Sequence, residues 1–218
     1  MFNIFNKNGL IEFIYTLPAI LICLSIHEFA KAYTAYKLGD KSQKNLGRLS
    51  LDPFSHIDIL GFICIALIGF GWGKPVIIDD RNFKNRKRGN MLVSLAGPLS
   101  NLAMALLFTI ILKILLMFNF VTLVSGNLEV GNIVGRMLLL TVEFNIVFAV
   151  FNLIPVPPLD GSKILFYFLP DKYKKIMYYL ERYSFWIIIV LFITGLGSAI
   201  ILPIVNLIYK LLMIILFI

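Results

Sequence analysis

Long apolar runs separated by short basic stretches constrain this chain more than any other feature. Hydrophobic residues make up 59% of its 218 residues, and charged residues make up only 15%. Soluble domains average about 45–50% apolar and about 25% charged residues. A soluble fold of this size could not bury so much apolar surface. The composition therefore excludes soluble, disordered and disulfide-scaffold classes and predicts an integral membrane protein.

The apolar runs predict a single all-α, polytopic transmembrane domain over residues 1–218. The expected spans are listed by residue number: 9–38, 91–118, 135–154 and 184–204. The last run continues to residue 218, and one helix over 184–218 would be about 52 Å long. We therefore expect a break at Gly195, Gly197 or Pro203, and residues 205–218 form either a further crossing or an interfacial tail.

The apolar segment 59–73 is too short and too rich in glycine for a simple crossing. As a helix it would be roughly 22 Å long, against a hydrocarbon core of about 30 Å. Basic residues flank it on both sides, from Lys41 to Arg48 and from Lys74 to Arg88. Flanks of one sign favour a re-entrant segment that returns to its own side of the membrane. Residues 74–78 after it are expected to be extended.

The distribution of charge predicts the orientation. The formal net charge is +8, and Lys and Arg cluster in the loops between the apolar runs, where they orient the chain and meet lipid headgroups rather than nucleic acid. Residues 37–90 and 160–182 are therefore predicted to be cytoplasmic, and residues 119–133 external. The N-terminus is then external as well. Cys23 and Cys64 lie inside apolar runs and are expected to be reduced packing residues.

Ionisable residues within apolar runs are costly and mark candidate sites. They are His27, Glu28 and Lys31 in the first span, Glu143 in the third, and Asp160 just after it. On a helix, positions i and i+4 share a face, so His27 and Lys31 point the same way with Glu28 beside them. Zinc metalloproteases place His at both of these positions and a Glu base between them. Here Lys31 stands at the second position.

A series of further motifs carries a resemblance to a known family. The motifs are His27-Glu28-Phe29-Ala30, Gly47-Arg48-Leu49, Gly71-Trp72-Gly73-Lys74-Pro75-Val76, Ala96-Gly97-Pro98-Leu99-Ser100-Asn101, Phe151-Asn152-Leu153-Ile154-Pro155 and Pro157-Pro158-Leu159-Asp160-Gly161. In this order the chain resembles the site-2 proteases, which are intramembrane zinc metalloproteases, in their minimal prokaryotic form. The resemblance covers nearly the whole chain.

The resemblance implies a set of functional residues. His27 and Asp160 correspond to zinc ligands, Glu28 to the general base, and Asn152 to a position near the substrate carbonyl. It also implies a Zn²⁺ cofactor and hydrolysis of peptide bonds in or near transmembrane segments. The expected partners are the lipid bilayer and the transmembrane segments of substrate proteins in a prokaryotic cell membrane.

Lys31 departs from the family pattern, because an ammonium group has three donors and no acceptor. Three interpretations remain open. Lys31 could pair with Asp160 or Glu28 in a catalytically impaired pseudoprotease that binds membrane-protein segments. A metal could persist, with Glu143, a water or deprotonated Lys31 completing its ligands. Alternatively, Lys31 could extend to the cytoplasmic interface.

Two other residues have simpler explanations. His56 lies in a polar segment and is expected to be structural rather than a replacement ligand. Glu143 is interpreted first as a buried acid satisfied by a neighbour and second as a metal ligand; with Lys31 and Asn152 it is also a candidate site-shaping residue.

Overall fold

The computed structural model describes residues 7–68, 71–121, 123–124, 129–130 and 133–217. Its helices are α1 (Lys7–Lys37), α2 (Ser42–Asn45), α3 (Ile59–Ile68), α4 (Arg86–Met117), α5 (Ile133–Asn152), α6 (Asp160–Phe168), α7 (Lys174–Arg182), α8 (Ser184–Ile193) and α9 (Leu196–Phe217). Two short strands, β1 (Leu123–Val124) and β2 (Glu129–Val130), form an antiparallel pair between α4 and α5. Much of the predicted external loop 119–133, at residues 122, 125–128 and 131–132, lies outside the described residues.

Among the described residues, four helices are long and apolar enough to cross a membrane. They cover Gly9–Lys37, Arg86–Met117, Ile133–Asn152 and Leu196–Leu216. This confirms the predicted all-α, polytopic membrane protein. α1, α4 and α5 pack against one another, and α9 lies against α4 and α5. Buried side chains such as Leu112, Ile146 and Val205 fill the space between α4, α5 and α9.

The segment around α3 returns to the place where it began. Ile57 and Gly73 form an antiparallel bridge, and the Lys74 N–H donates to the His56 carbonyl at 2.8 Å. Because these two ends are hydrogen-bonded to each other, they cannot lie on opposite sides of a membrane. Gly61 allows the close return, since a Cβ atom there would lie 2.1 Å from the Trp72 carbonyl oxygen. The predicted re-entrant and extended segment is confirmed.

The C-terminal apolar run breaks inside the predicted span 184–204 rather than at its end. α8 ends at Ile193 and α9 begins at Leu196, so the predicted span 184–204 is wrong in its bounds. Gly195 between them has a φ of +72°, a left-handed conformation that glycine adopts without strain. Pro203 lies inside α9, as transmembrane helices tolerate proline where neighbours compensate for the lost hydrogen bond. The break therefore falls at the first predicted glycine.

A buried aspartate ties the end of α1 to the extended segment. Asp40 Oδ1 accepts from the Ser42 backbone and hydroxyl, and Oδ2 accepts from Gln43 Nε2 and the Asp79 N–H, both at 2.9 Å. Burial alone would raise the pKa of Asp40, but these hydrogen bonds outweigh it and lower the pKa below its usual value. Arg48 donates to the Ser55, Lys74 and Pro75 carbonyls nearby. These bonds hold residues 74–79 beside α1.

Candidate active site

α1 and α6 bring three of the predicted site residues into contact. His27 Nε2 and Asp160 Oδ2 are 2.9 Å apart, and Lys31 Nζ donates to Asp160 Oδ1 at 2.7 Å. His27 is 1% exposed and Asp160 2% exposed. The structure thus places the Lys31 ammonium against Asp160, which is the contact that the first of the three interpretations proposes; the impaired activity that this interpretation adds stays a prediction.

Asp160 is held as a carboxylate by these two neighbours. Burial alone would raise its pKa, but the hydrogen bond to His27 and the charge of Lys31 lower the pKa of Asp160 to about 2. Asp160 is therefore ionised at neutral pH and places a negative charge beside His27 and Lys31.

A glycine allows α6 to bring Asp160 to this position. Asp160 is the first residue of α6, and Gly161 follows it. A Cβ atom on Gly161 would lie 2.2 Å from the Leu153 carbonyl oxygen and 2.4 Å from that of Ile154. Only glycine permits this approach of α6 to the end of α5. The position of Asp160 therefore depends on the glycine that follows it.

Two amide side chains lie behind the His27 ring, on the side away from Asp160. Asn101 of α4 places Oδ1 2.7 Å from His27 Nδ1. Its Nδ2 donates to the Cys23 carbonyl at 3.0 Å and to Asn145 Oδ1 on α5 at 2.9 Å. Both asparagines are fully buried. Sequence reasoning gave them no role, although a buried amide in an apolar span is a signal of a polar contact between helices.

The faces of the His27 ring are also defined by packing. A Cβ atom on Gly97 of α4 would lie 2.5 Å from His27 Cε1, so the ring rests on the bare backbone of this helix. The Phe148 ring of α5 packs edge-on against the imidazole, with 4.9 Å between centroids. Together with Asn101, these contacts fix both the position and the rotation of the imidazole.

Glu28 is held beside the extended segment. Its Oε2 accepts a hydrogen bond from the buried N–H of Val76 at 3.0 Å, and the residue is 7% exposed. A carboxylate accepts with both oxygens, so this bond orients Glu28 and leaves Oε1 to accept from a water molecule.

The structure does not bring Glu143 to the site. Glu143 is exposed on α5, two positions from the buried Asn145, and two helical positions differ by about 200° around the axis. Its electrostatic neighbours are Arg136 and Tyr209. The structure thus places Glu143 beside Arg136 and Tyr209, and both interpretations of Glu143, as a buried acid and as a ligand or site-shaping residue, stay predictions.

Two further residues have local partners. Asn152 is buried near the end of α5, and its amide donates to the Phe148 carbonyl at 2.9 Å, so its expected position near a substrate carbonyl stays a prediction. His56 Nε2 donates to the Ser50 carbonyl at 2.6 Å. That bond fixes His56 within the loop beside α3, in agreement with the structural role expected for it.

The donor set fits a catalytic zinc site incompletely. Such sites have three protein ligands and an open position. Neutral imidazole and carboxylate are suitable ligands, and His27 and Asp160 supply one of each. The third position is taken by Lys31, which is bonded to Asp160. Within the described part of the chain, no group of three or more His, Cys, Asp or Glu side chains lies close enough to hold a metal ion.

Similarity to known proteins identifies the family. Residues 15–196 match the family described as "Peptidase family M50". The chain belongs to this family. It is 35% identical over 192 residues to "Putative zinc metalloprotease YwhC" of Bacillus subtilis, covering 88% of this chain and 86% of the relative. No solved structure matches it significantly.

Two further relatives are also described as putative zinc metalloproteases. "Putative zinc metalloprotease Rip2" of Mycobacterium tuberculosis (strain H37Rv) is 32% identical over 186 residues, covering 83% of this chain and 67% of the relative. "Putative zinc metalloprotease MJ0611" of Methanocaldococcus jannaschii is 27% identical over 157 residues, with 72% of each chain covered. The predicted site-2 protease resemblance is confirmed, and with it the metalloendopeptidase class and the integral membrane location.

Proposed function

We propose that this M50 protein hydrolyses peptide bonds in or next to transmembrane segments of other membrane proteins. The observation that supports it is the buried contact between His27 of one membrane span and Asp160 of α6, with the buried Glu28 next to His27 in the sequence. These are the three residues that the family resemblance assigns to the chemistry. Glu28 is the general base in this proposal, because its oriented carboxylate can accept a proton from an attacking water.

His27 and Asp160 are the side chains that would hold zinc. When bound, zinc polarises the scissile carbonyl and lowers the pKa of a bound water to about 7. Lys31 is bonded to the same carboxylate, so its ammonium competes with a metal for Asp160. We therefore expect this chain to hold zinc more weakly than a site with three ligands.

An apolar cavity beside His27 supports a substrate of the same character. The cavity measures about 270 Å³ and lies among α1, α3, α5 and α9, with Leu24, Ile65, Phe148 and Ile201 among its lining residues. Phe148 also contacts the His27 ring. The cavity therefore adjoins the site and can take apolar side chains from a transmembrane segment.

The experiment compares wild type with Glu28→Gln, each reconstituted with zinc and a model transmembrane peptide. Mass spectrometry of the products locates the cut. Loss of a general base lowers the rate typically by about 10²–10⁴-fold, and we expect a loss of this size in Glu28→Gln. The matched control is Glu12→Gln on the same helix, where Glu12 pairs with Arg136 at 3.2 Å. Equal cleavage by wild type and Glu28→Gln would contradict the proposal.

A second candidate function is binding of membrane-protein segments without cleavage. The observation that favours it is the Lys31–Asp160 ion pair, in which the side chain at the second family position neutralises the carboxylate ligand. Wild-type protein that captures the model peptide, yet leaves it uncut at saturating zinc, would select this function over hydrolysis.

A further inference from the structure

The hydrogen-bond partners of Asn101 allow only one orientation of its side-chain amide. A backbone carbonyl can accept but cannot donate, so the end of the Asn101 amide that faces the Cys23 carbonyl must be its NH₂ group. The other end, the oxygen Oδ1, then faces His27 Nδ1 at 2.7 Å. An amide oxygen cannot donate either. His27 must therefore carry a proton on Nδ1.

Asn145 enforces the same direction from the neighbouring helix. Its Nδ2 donates to the Thr141 carbonyl at 2.8 Å, which again fixes the NH₂ end by a backbone acceptor. Its oxygen is then left to accept from Asn101 Nδ2 at 2.9 Å. Two backbone carbonyls, those of Cys23 and Thr141, thus set the orientation of both amides.

We propose that Asn101 and Asn145 are positioning residues that fix the Nδ1–H tautomer of His27. Nε2 is then the ring nitrogen that faces Asp160 Oδ2, 2.9 Å away, and shares a proton or a cation with it. Since a lone pair and a carboxylate oxygen repel each other, this contact requires a proton or a metal cation between them. The asparagine pair therefore determines which ring nitrogen is offered to a cation, and this inference does not depend on peptidase activity.

The tautomer can be measured directly by ¹⁵N NMR of histidine-labelled protein in detergent. The chain contains two histidines, so His56 serves as an internal reference, and a tag without histidine keeps the spectrum simple. A His27→Asn variant assigns the signals. Spectra recorded as a pH series identify directly the range in which the ring is neutral, and the tautomer is determined there. We expect His27 to be protonated on Nδ1.

Variants separate positioning from general structure. Asn101→Leu removes the acceptor, and we expect the ratio of Nδ1–H to Nε2–H to fall at least about fivefold, the effect of a net hydrogen bond of about 1 kcal/mol. Asn145→Leu should lower the ratio less, because Asn101 would still donate a hydrogen bond to the Cys23 carbonyl, which keeps its amide in the same orientation. Asn101→Asp retains an oxygen facing Nδ1 and should rescue the tautomer. The control is Thr109→Val, which removes a buried polar group of the same helix α4, a hydroxyl that donates only to the Ala105 carbonyl within that helix.

Two outcomes would overturn the proposal. One is a wild-type His27 that is protonated on Nε2 alone, a result that requires no variant to fold. The other is an Asn101→Leu protein, with the elution profile and unfolding temperature of Thr109→Val, in which the ratio is unchanged.

Discussion

Two buried aspartates of this protein are bonded by opposite kinds of partner. Asp40 is 0% exposed and Asp160 2% exposed. Asp40 accepts from four neutral donors in Ser42, Gln43 and the Asp79 backbone. Asp160 is bonded by His27 and by the ammonium of Lys31.

The difference lies in what would have to change for each carboxylate to exchange its partners. The donors to Asp40 belong to the backbone and to short neighbouring side chains, so replacing them would require the loop to open. The partners of Asp160 are a titratable ring and the end of a long lysine side chain, and both lie on α1, outside the helix of Asp160. Burial alone does not distinguish the two residues, whereas the charge of their partners does.

The largest effect on stability is expected when Asp160 is replaced by Asn. Lys31 would then be left as a buried cation without its partner, and removing one member of a buried pair typically costs about 3–5 kcal/mol. Lys31 is 11% exposed, so we expect the lower end of this range. The measurement is unfolding by SDS titration in mixed micelles. The double variant Lys31→Met/Asp160→Asn should recover most of the loss, and an unchanged stability of Asp160→Asn alone would show that the pair contributes little.

The next effect is a gain of zinc binding in Lys31→His. This change supplies a third protein ligand, the number that catalytic zinc sites use. Outer partners of a metal site already contribute about 10–100-fold in affinity, so we expect a direct ligand to raise zinc affinity by about 100-fold or more. Competition with a chelator measures it.

The control for this change is Lys37→His, six residues further along α1 and exposed, which should leave zinc affinity unchanged. Equal zinc affinity in wild type and Lys31→His would mean that position 31 does not limit the site, and the contrast between the two aspartates would lose its functional meaning.

The smallest effect is an acid-dependent loss of stability through Asp40. Its pKa is lower in the folded protein than the ordinary value of 3.8, so its carboxylate stabilises the fold fully above that value. This contribution is lost as the pH falls through the lower, folded pKa. Asp40→Asn should cost about 1–3 kcal/mol near neutral pH.

The difference in unfolding temperature between wild type and Asp40→Asn should then shrink below about pH 4. Asp52→Asn, at an exposed aspartate that accepts from the Phe54 N–H, is the control. If the difference in unfolding temperature stays constant down to about pH 3, the loss in Asp40→Asn comes from altered packing and hydrogen bonding rather than from the lost charge.

The sequence predicted what depends on local pattern. Apolar runs located α1, α4 and α5, and the i, i+4 spacing placed Lys31 on the same helix face as His27. The re-entrant segment followed from its length and its basic flanks. Each of these properties is visible within one stretch of chain.

The asparagine contacts could not be predicted in this way. Asn101 and Asn145 meet only because α4 and α5 pack with one particular rotation, and spans that face lipid are apolar on nearly every side, so periodicity carries little information on rotation. The same limit explains Glu143, whose exposed position follows from the phase of α5. The sequence could not single out Gly195 among the three candidate break points, because a glycine permits but does not require a left-handed conformation.

The bridge between Ile57 and Gly73 also bears on whether the number of membrane crossings is even or odd. Because it joins the two ends of the α3 segment on one side, that segment adds nothing to the number of crossings. The described residues then contain four helices that can cross, and an even number returns the chain to the compartment where it started. With all four helices crossing, we predict that Gly9 of α1 and Leu216 of α9 face the same compartment, so reporter groups attached at these two positions should be protected or digested together.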